Sequence, residues 1–330
     1  MSNNFIGTAR AHSNIAFIKY WGNIDHKLRL PSNSSISMNL SDLYTTTRVE
    51  WSHAYQTDSL KINGEKSDDK ALARVSEHLQ RVRDRLGINM FANVESKNNF
   101  PMGTGIASSA SSFAALTLAA VEAANKTLSE RELSALARCG SGSASRSIPS
   151  GYAEWHFGTT HETSYAETFV EHDYWDLVDV IAIISREHKK TGSYAGHGTA
   201  DTSILQSVRV DSAEKRLELV KDSIKQRDFV SFADVVEEDS NLMHSVMMTS
   251  RPPLFYWQPL SIEIMTSVRS WRENEGIQVC YTLDAGPNVH CICVRSDAEK
   301  VISKLEALSD TIEIRTSSAG RGSYIVENEY

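Results

Sequence analysis

The sequence predicts a two-lobed α+β protein. Strand-like and helix-like stretches follow one another irregularly along 330 residues, where a regular βαβ succession would indicate a parallel doubly wound sheet. No internal repeat, low-complexity tract or Pro/Gly-rich linker separates them, so two intimately packed lobes are expected. With 41% hydrophobic and 23% charged residues, the chain carries enough apolar content for a full core.

Taken in order, residues 45–51 and 60–62 have strand composition. Across 70–86, Ala71, Val75, Leu79, Val82 and Leu86 recur at helical spacing, and Gly87 stops the run. A short strand over 91–96 leads into the small-residue loop Pro101-Met-Gly-Thr-Gly-Ile-Ala-Ser-Ser109, which runs straight into an Ala-rich helix ending near Asn125. Ser129 and Glu132 form the capping box of the next helix. Helices are expected near 212–226, 229–244 and 259–274. Strands over 279–283 and 289–294, joined by Ala285-Gly-Pro-Asn288, precede a last helix near 298–308.

The formal net charge of −8 argues against a general polyanion binder, since phosphate-backbone binding needs many Lys and Arg on one face. The N-terminus lacks the basic and apolar regions of a secretory signal, and no run reaches membrane-spanning length. A cytoplasmic protein without membrane or nucleic-acid partners is therefore expected. Cys139, Cys280, Cys291 and Cys293 show no zinc or disulfide spacing, and the last three sit in apolar alternating segments that suit buried strand thiols.

In Gly103-Thr-Gly105-Ile-Ala-Ser108-Ser109, small residues stand where a strand turns into a helix. Backbone N–H groups there can converge on one anion beside the positive helix end. The loop is neither a Walker loop, lacking Gly-Lys-Ser/Thr, nor GxGxxG, lacking the third glycine. On the motif alone, a packing turn explains it as well as a phosphate site does.

PMGTGIASSAS at 101–111 resembles the phosphate loop of the GHMP kinase superfamily. AHSNIAFIKYWGNIDHKLRLPSNSSISM at 11–38, GSGSASRSIPSGYAEW at 140–155 and YTLDAGPN at 281–288 are similar to its mevalonate diphosphate decarboxylase branch, in the family's order and across most of the chain. The resemblance implies a GHMP kinase fold. Its N-terminal lobe, of a kind shared with ribosomal proteins, carries the ATP loop at 1–185, and its C-terminal lobe at 186–330 carries the catalytic aspartate. It further implies a homodimer that uses ATP and Mg²⁺ on a phosphorylated mevalonate in isoprenoid biosynthesis. The 3-hydroxyl is phosphorylated, and then phosphate and CO₂ leave.

By that resemblance Asp284, Lys19 and Arg146 are catalytic. Asp284 acts on the reacting hydroxyl as base or orienting acceptor, Lys19 is its partner, and Arg146 holds the substrate carboxylate. A lysine in the apolar run Ile15-Ala-Phe-Ile-Lys-Tyr20 would otherwise be an outward-facing residue, and Asp284 a turn cap. Ser141, Ser143 and Ser193 would bind the substrate's phosphate end. Tyr20 and Trp21 would line its pocket or simply pack. Pro101, Gly103, Thr104, Gly105, Ala107, Ser108 and Ser109 would surround ATP, whose phosphates carry the Mg²⁺ with Ser108 as its one candidate protein contact.

Two positions depart from the branch. Asn23 stands where lysine is usual, and Tyr194 where arginine is usual. Losing two cations, each worth about 1.5–3 kcal/mol in a charge-assisted contact, leads to the expectation of a mevalonate 5-monophosphate substrate giving isopentenyl phosphate. Tyr256-Trp257-Gln258-Pro259 resembles a run in archaeal-type phosphomevalonate decarboxylases and points the same way. The alternatives are the 5-diphosphate, with Lys189, Lys190 or His197 supplying charge; a 3-hydroxyl kinase that does not decarboxylate; and a non-catalytic binding module.

Overall fold

The computed structural model describes residues 5–100, 108–186 and 192–327, apart from the side chains of Ser108, Ser193 and Tyr194. Pro101, Gly103, Thr104, Gly105 and Ala107 of the expected ATP loop lie outside the described residues, as do Lys189 and Lys190.

The first sheet is centred on β1 (Ile6–Ile18), whose antiparallel partner β4 (Ser35–Ser52) follows a small ribbon of β2 (Asn23–Asp25) and β3 (Leu30–Pro31). β5 (Ser59–Ile62) and β6 (Glu65–Lys66) form its edge, followed by α1 (Asp69–Leu86). The Asp68 carboxylate caps α1 by accepting from Ala71 N–H at 2.7 Å, and Gly87, at φ +67°, ends it in the left-handed region that glycine tolerates. β7 (Phe91–Asn98) returns beside β4, α2 (Ser108–Ala123) crosses the sheet, and α3 (Glu130–Gly140) starts with both arms of the expected Ser129/Glu132 capping box. β8 (Tyr152–Trp155) joins the other end of β4, and β9 (Ala166–Val170) pairs with β8. α2 lies so close to β1 that a Cβ on Gly7 would meet the Ala119 carbonyl oxygen at 2.5 Å.

The second sheet contains β10 (Leu177–Ile183). After it come the short helices α4 (Ser193–His197) and α5 (Gln206–Asp211), then α6 (Ala213–Gln226), α7 (Phe229–Thr249) and α8 (Pro259–Glu275). β11 (Val279–Thr282), β12 (Val289–Val294), α9 (Ala298–Leu308), β13 (Glu313–Ser318) and β14 (Tyr324–Ile325) complete the described chain. The sheet order is β11-β12-β10-β13, while β14 pairs with β1 in the first sheet. α8 and α9 cover one face of the second sheet, over Cys291 and Cys293. All four cysteines are free and buried.

Between the sheets lies a shared core. Phe17, Ile36 and Met38 of the first sheet meet Leu217 and Phe232 of α6 and α7, and Leu177, Ile181 and Ile292 of the second sheet. The Phe232 ring is edge-on to Phe17 at 4.9 Å and to Trp175 at 5.2 Å. The chain thus changes sheets ahead of Leu177, earlier than the 185/186 division expected from the sequence, and β14 crosses back. The crossing segment is anchored in that core by Trp175, with Tyr174 packed against it, while Glu171, His172, Asp173 and Asp176 are exposed. Phe232→Ala should cost about 3–5 kcal/mol in denaturant unfolding while keeping a single transition. Two separate transitions, or a loss under about 1 kcal/mol, would contradict a shared core.

Candidate active site

Lys19 follows the last residue of β1, and Asp284 follows Leu283 just beyond β11. Their side chains meet across the junction of the two sheets, Lys19 Nζ donating to Asp284 Oδ1 at 2.8 Å. The lysine is 1% exposed and the aspartate 26%, so the pair is reached by solvent from the carboxylate side. Neither the outward-facing lysine nor the simple turn cap describes this arrangement. The turn is closed by backbone, Gly286 N–H donating to the Asp284 carbonyl at 2.7 Å.

Arg146 lies in a short 3₁₀ segment, Gly142–Ser147, after α3. Its guanidinium is buried and donates to Ser35 Oγ at 2.7 Å and to Asn14 Oδ1 at 3.3 Å, and among the described residues its Nε has no partner. A buried guanidinium with only neutral partners is under-compensated. Burial lowers its pKa to about 10, opposed by the Asp284 carboxylate nearby. The missing partner is an anion, and a carboxylate matches the fork geometry. Ser143 and Ser141 stand at the start of the same segment, with Ser141 Oγ 3.1 Å from Ser109 Oγ and 3.5 Å from Ser143 Oγ. Three serines expected to serve two different phosphates therefore form one hydroxyl cluster at the start of α2.

Tyr20, next to Lys19, stacks on His197 with ring centroids 4.2 Å apart, lies edge-on to Trp155 at 4.6 Å, and donates from its hydroxyl to Asn23 Oδ1 at 2.5 Å. A Cβ on Gly142 would strike the Tyr20 ring at 2.4 Å, so the glycine lets the serine segment pass this close. Trp21 instead fills a core cluster with Met243, Met247 and Leu254. Ser193 and Tyr194 open α4, the helix that brings His197 against Tyr20 and Trp21.

Several residues at the site were not singled out by sequence pattern. The Lys19 backbone N–H donates to Asp239 Oδ2 at 2.6 Å, and Asp239 Oδ1 accepts from Arg216 Nε at 2.8 Å. Arg209 donates to the Trp21 carbonyl at 2.5 Å and to Asn33 Oδ1 at 2.9 Å. The visible signal was a run of polar residues, Glu237, Asp239, Ser240 and His244, in an otherwise apolar helix pattern. A second overlooked feature is a slot near the start of α2, lined by Leu60, Ile62, Val75 and Val94 with Ser96 and Asn98. Asn98 Oδ1 accepts from Thr45 Oγ1 at 2.6 Å, while its Nδ2 has no partner among the described residues. An apolar slot with an unused donor suits a flat heterocycle. Among the described residues, no group of three or more His, Cys, Asp or Glu is placed to hold a metal ion, and no helix is long and apolar enough to cross a membrane.

Burial lowers His197 and His244 from 6.5 to about 3, with Arg29 adding to the effect at His197 and Lys19 at His244. His78 is lowered to about 3 and His12 to about 4, again chiefly by burial. Each folded value is below its unfolded one, so their stabilisation is complete above the unfolded value of 6.5 and is lost as pH falls from there towards the folded values. The thermal midpoint should therefore be lower at about pH 5 than at about pH 7.5. An unchanged or higher midpoint at the acid pH would contradict neutral burial of these imidazoles.

Comparison with known proteins gives this architecture a family. Residues 11–166 match the model of the diphosphomevalonate decarboxylase-like N-terminal domain, and residues 179–324 that of the mevalonate 5-diphosphate decarboxylase C-terminal domain. The diphosphomevalonate decarboxylase of Debaryomyces hansenii is 36% identical over 317 residues, spanning 90% of this chain and 82% of that protein. The mevalonate diphosphate decarboxylase of Staphylococcus aureus superposes with a TM-score of 0.93 at 38% identity, covering 98% of both chains. A related structure solved in complex with MVAPP, AMPPCP and magnesium superposes with a TM-score of 0.92 at 37% identity, covering 98% of this chain and 99% of the other. The two-lobed GHMP-type α+β fold, the order of the motifs and the length of both matches agree: the chain belongs to the diphosphomevalonate decarboxylase family.

Proposed function

We propose that this protein is an ATP- and Mg²⁺-dependent carboxy-lyase that converts mevalonate 5-diphosphate to isopentenyl diphosphate, releasing phosphate and CO₂. The observation that carries the reading is the pair of buried Lys19 and partly exposed Asp284 near Arg146, whose guanidinium has no anionic partner among the described residues. Asp284 accepts the hydrogen bond of the 3-hydroxyl, and Lys19 holds its carboxylate in place. Arg146 holds the carboxylate that will leave as CO₂. Bound ATP with Mg²⁺ supplies the phosphoryl group that makes the hydroxyl oxygen a good leaving group. The slot at Asn98 is proposed for the nucleotide base, and Ser108 and Ser109 for the phosphates at the positive end of α2. The working assembly is proposed as a homodimer, on the family resemblance alone.

The monophosphate expectation drawn from Asn23 and Tyr194 gives way to the diphosphate. Relatives from yeasts to Homo sapiens are named diphosphomevalonate decarboxylases, and the neighbouring structure holds MVAPP. Asn23 is held by the Tyr20 hydroxyl, while positive charge acts on Tyr20 and His197 from Arg29, further along the same motif. This supports a diphosphate site whose cations are placed differently.

With ATP and Mg²⁺, kcat/KM should be about tenfold or more higher on mevalonate 5-diphosphate than on the 5-monophosphate, with CO₂ released in step with ADP. Preference for the monophosphate would overturn the substrate assignment. ADP without CO₂ from either substrate would leave a kinase.

A further inference from the structure

Two consecutive residues of α7 grip the two chain segments that bring the reacting pair together. Asp239 Oδ2 accepts the backbone N–H of Lys19 at 2.6 Å, and Ser240 Oγ accepts the backbone N–H of Leu283, the residue before Asp284, at 3.0 Å. Both residues are 0% exposed. One turn before, Glu237 Oε1 accepts from Tyr281 N–H at 3.3 Å; one turn after, the His244 ring lies against the carbonyls of Leu283 and Asp284 and stacks on Trp257 at 4.9 Å. The Asp239 carboxylate is itself fixed by Arg216 at 2.8 Å.

We propose that Asp239 and Ser240 are positioning residues, a clamp on one rigid helix that sets the distance between Lys19 Nζ and Asp284 Oδ1. The inference rests on the reading of that pair as the reacting centre. Lys19 leaves the first sheet and Asp284 the second, so neither strand controls where the other ends. A helix packed between the sheets can control both, because its residues 239 and 240 are a single rise apart. A buried carboxylate with an arginine partner contributes little net stability compared with a well-packed apolar pair, which fits a geometric role. Neither residue reaches the substrate cleft, so their loss should act on the chemical step and not on binding.

The test uses the full-length enzyme with ATP, Mg²⁺ and mevalonate 5-diphosphate. Ser240→Ala and Asp239→Asn should each lower kcat about ten- to a hundredfold, with KM for both substrates within about threefold and the thermal midpoint above assay temperature, and Ser240→Thr should recover most of the rate. Normal kcat in folded Ser240→Ala and Asp239→Asn enzymes would overturn the clamp, as would a loss that merely tracks the folded fraction. Asp284→Asn is run alongside. Normal turnover there would refute the reacting pair itself, whereas a dead Asp284→Asn beside active clamp variants refutes the clamp alone.

Discussion

Lys19 places an ammonium group in a site 1% exposed, and a cation there is tolerable only with an anion in contact. That anion, Asp284, comes from the far end of the chain and from the other sheet. The pair therefore cannot form until both lobes are in place. Much of the surrounding structure meets this requirement: Asp239 on the Lys19 backbone, Arg216 on Asp239, Arg209 across the carbonyls of Lys19 and Trp21, and Asn33 between them. Arg209 is lowered to about 10 by burial, with Asp239 opposing, so the network balances buried cations against a buried carboxylate beneath the site.

The shared core makes that balance possible. Because Phe17 and Phe232 interlock between the sheets, the ends of β1 and β11 are held by packing that belongs to neither lobe alone. The open side of the site is then left to groups with unmet bonding capacity. Arg146 Nε and Asn98 Nδ2 are both without partners among the described residues, and the serines of two segments share one cluster at the start of α2. Unsatisfied donors cost stability in an empty fold and gain it back from ligands that match them.

Much of this was legible in the sequence. Helix limits at Gly87, at Ser129 and in the run after Pro259 follow from local capping chemistry, and the structure places α1, α3 and α8 accordingly. Lys19, Arg146 and Asp284 could be named because the order of the motifs resembles a family; on local pattern alone Arg146 reads as a helix-end arginine and Asp284 as a turn cap, and only Lys19, a charge in an apolar run, stands out. The crossing at β10 was less readable: LVDVIAI is buried along its whole length, and its Asp179 is paired with His290 of β12, so no alternation marks a strand. Asp239, Ser240 and Arg216 escaped notice because their roles exist only through contacts more than twenty residues distant, and a buried polar residue in a helix has no periodic signature. The proposed change of substrate has a related reason. Asn23 and Tyr194 stand where cations are usual, but a site's potential is summed over space, and Arg29, in the same 11–38 stretch as Asn23, adds positive charge that acts on Tyr20 and His197.

The most direct test of the central claim is a double-mutant cycle on the pair itself, with kcat for CO₂ release measured for Lys19→Met, Asp284→Asn and the double variant. If the two side chains act as one device spanning the lobes, the double variant should be no slower than the slower single variant. Losses that multiply would mean that Lys19 and Asp284 contribute separately, and the interlobe ion pair would then be a structural contact beside a centre located elsewhere.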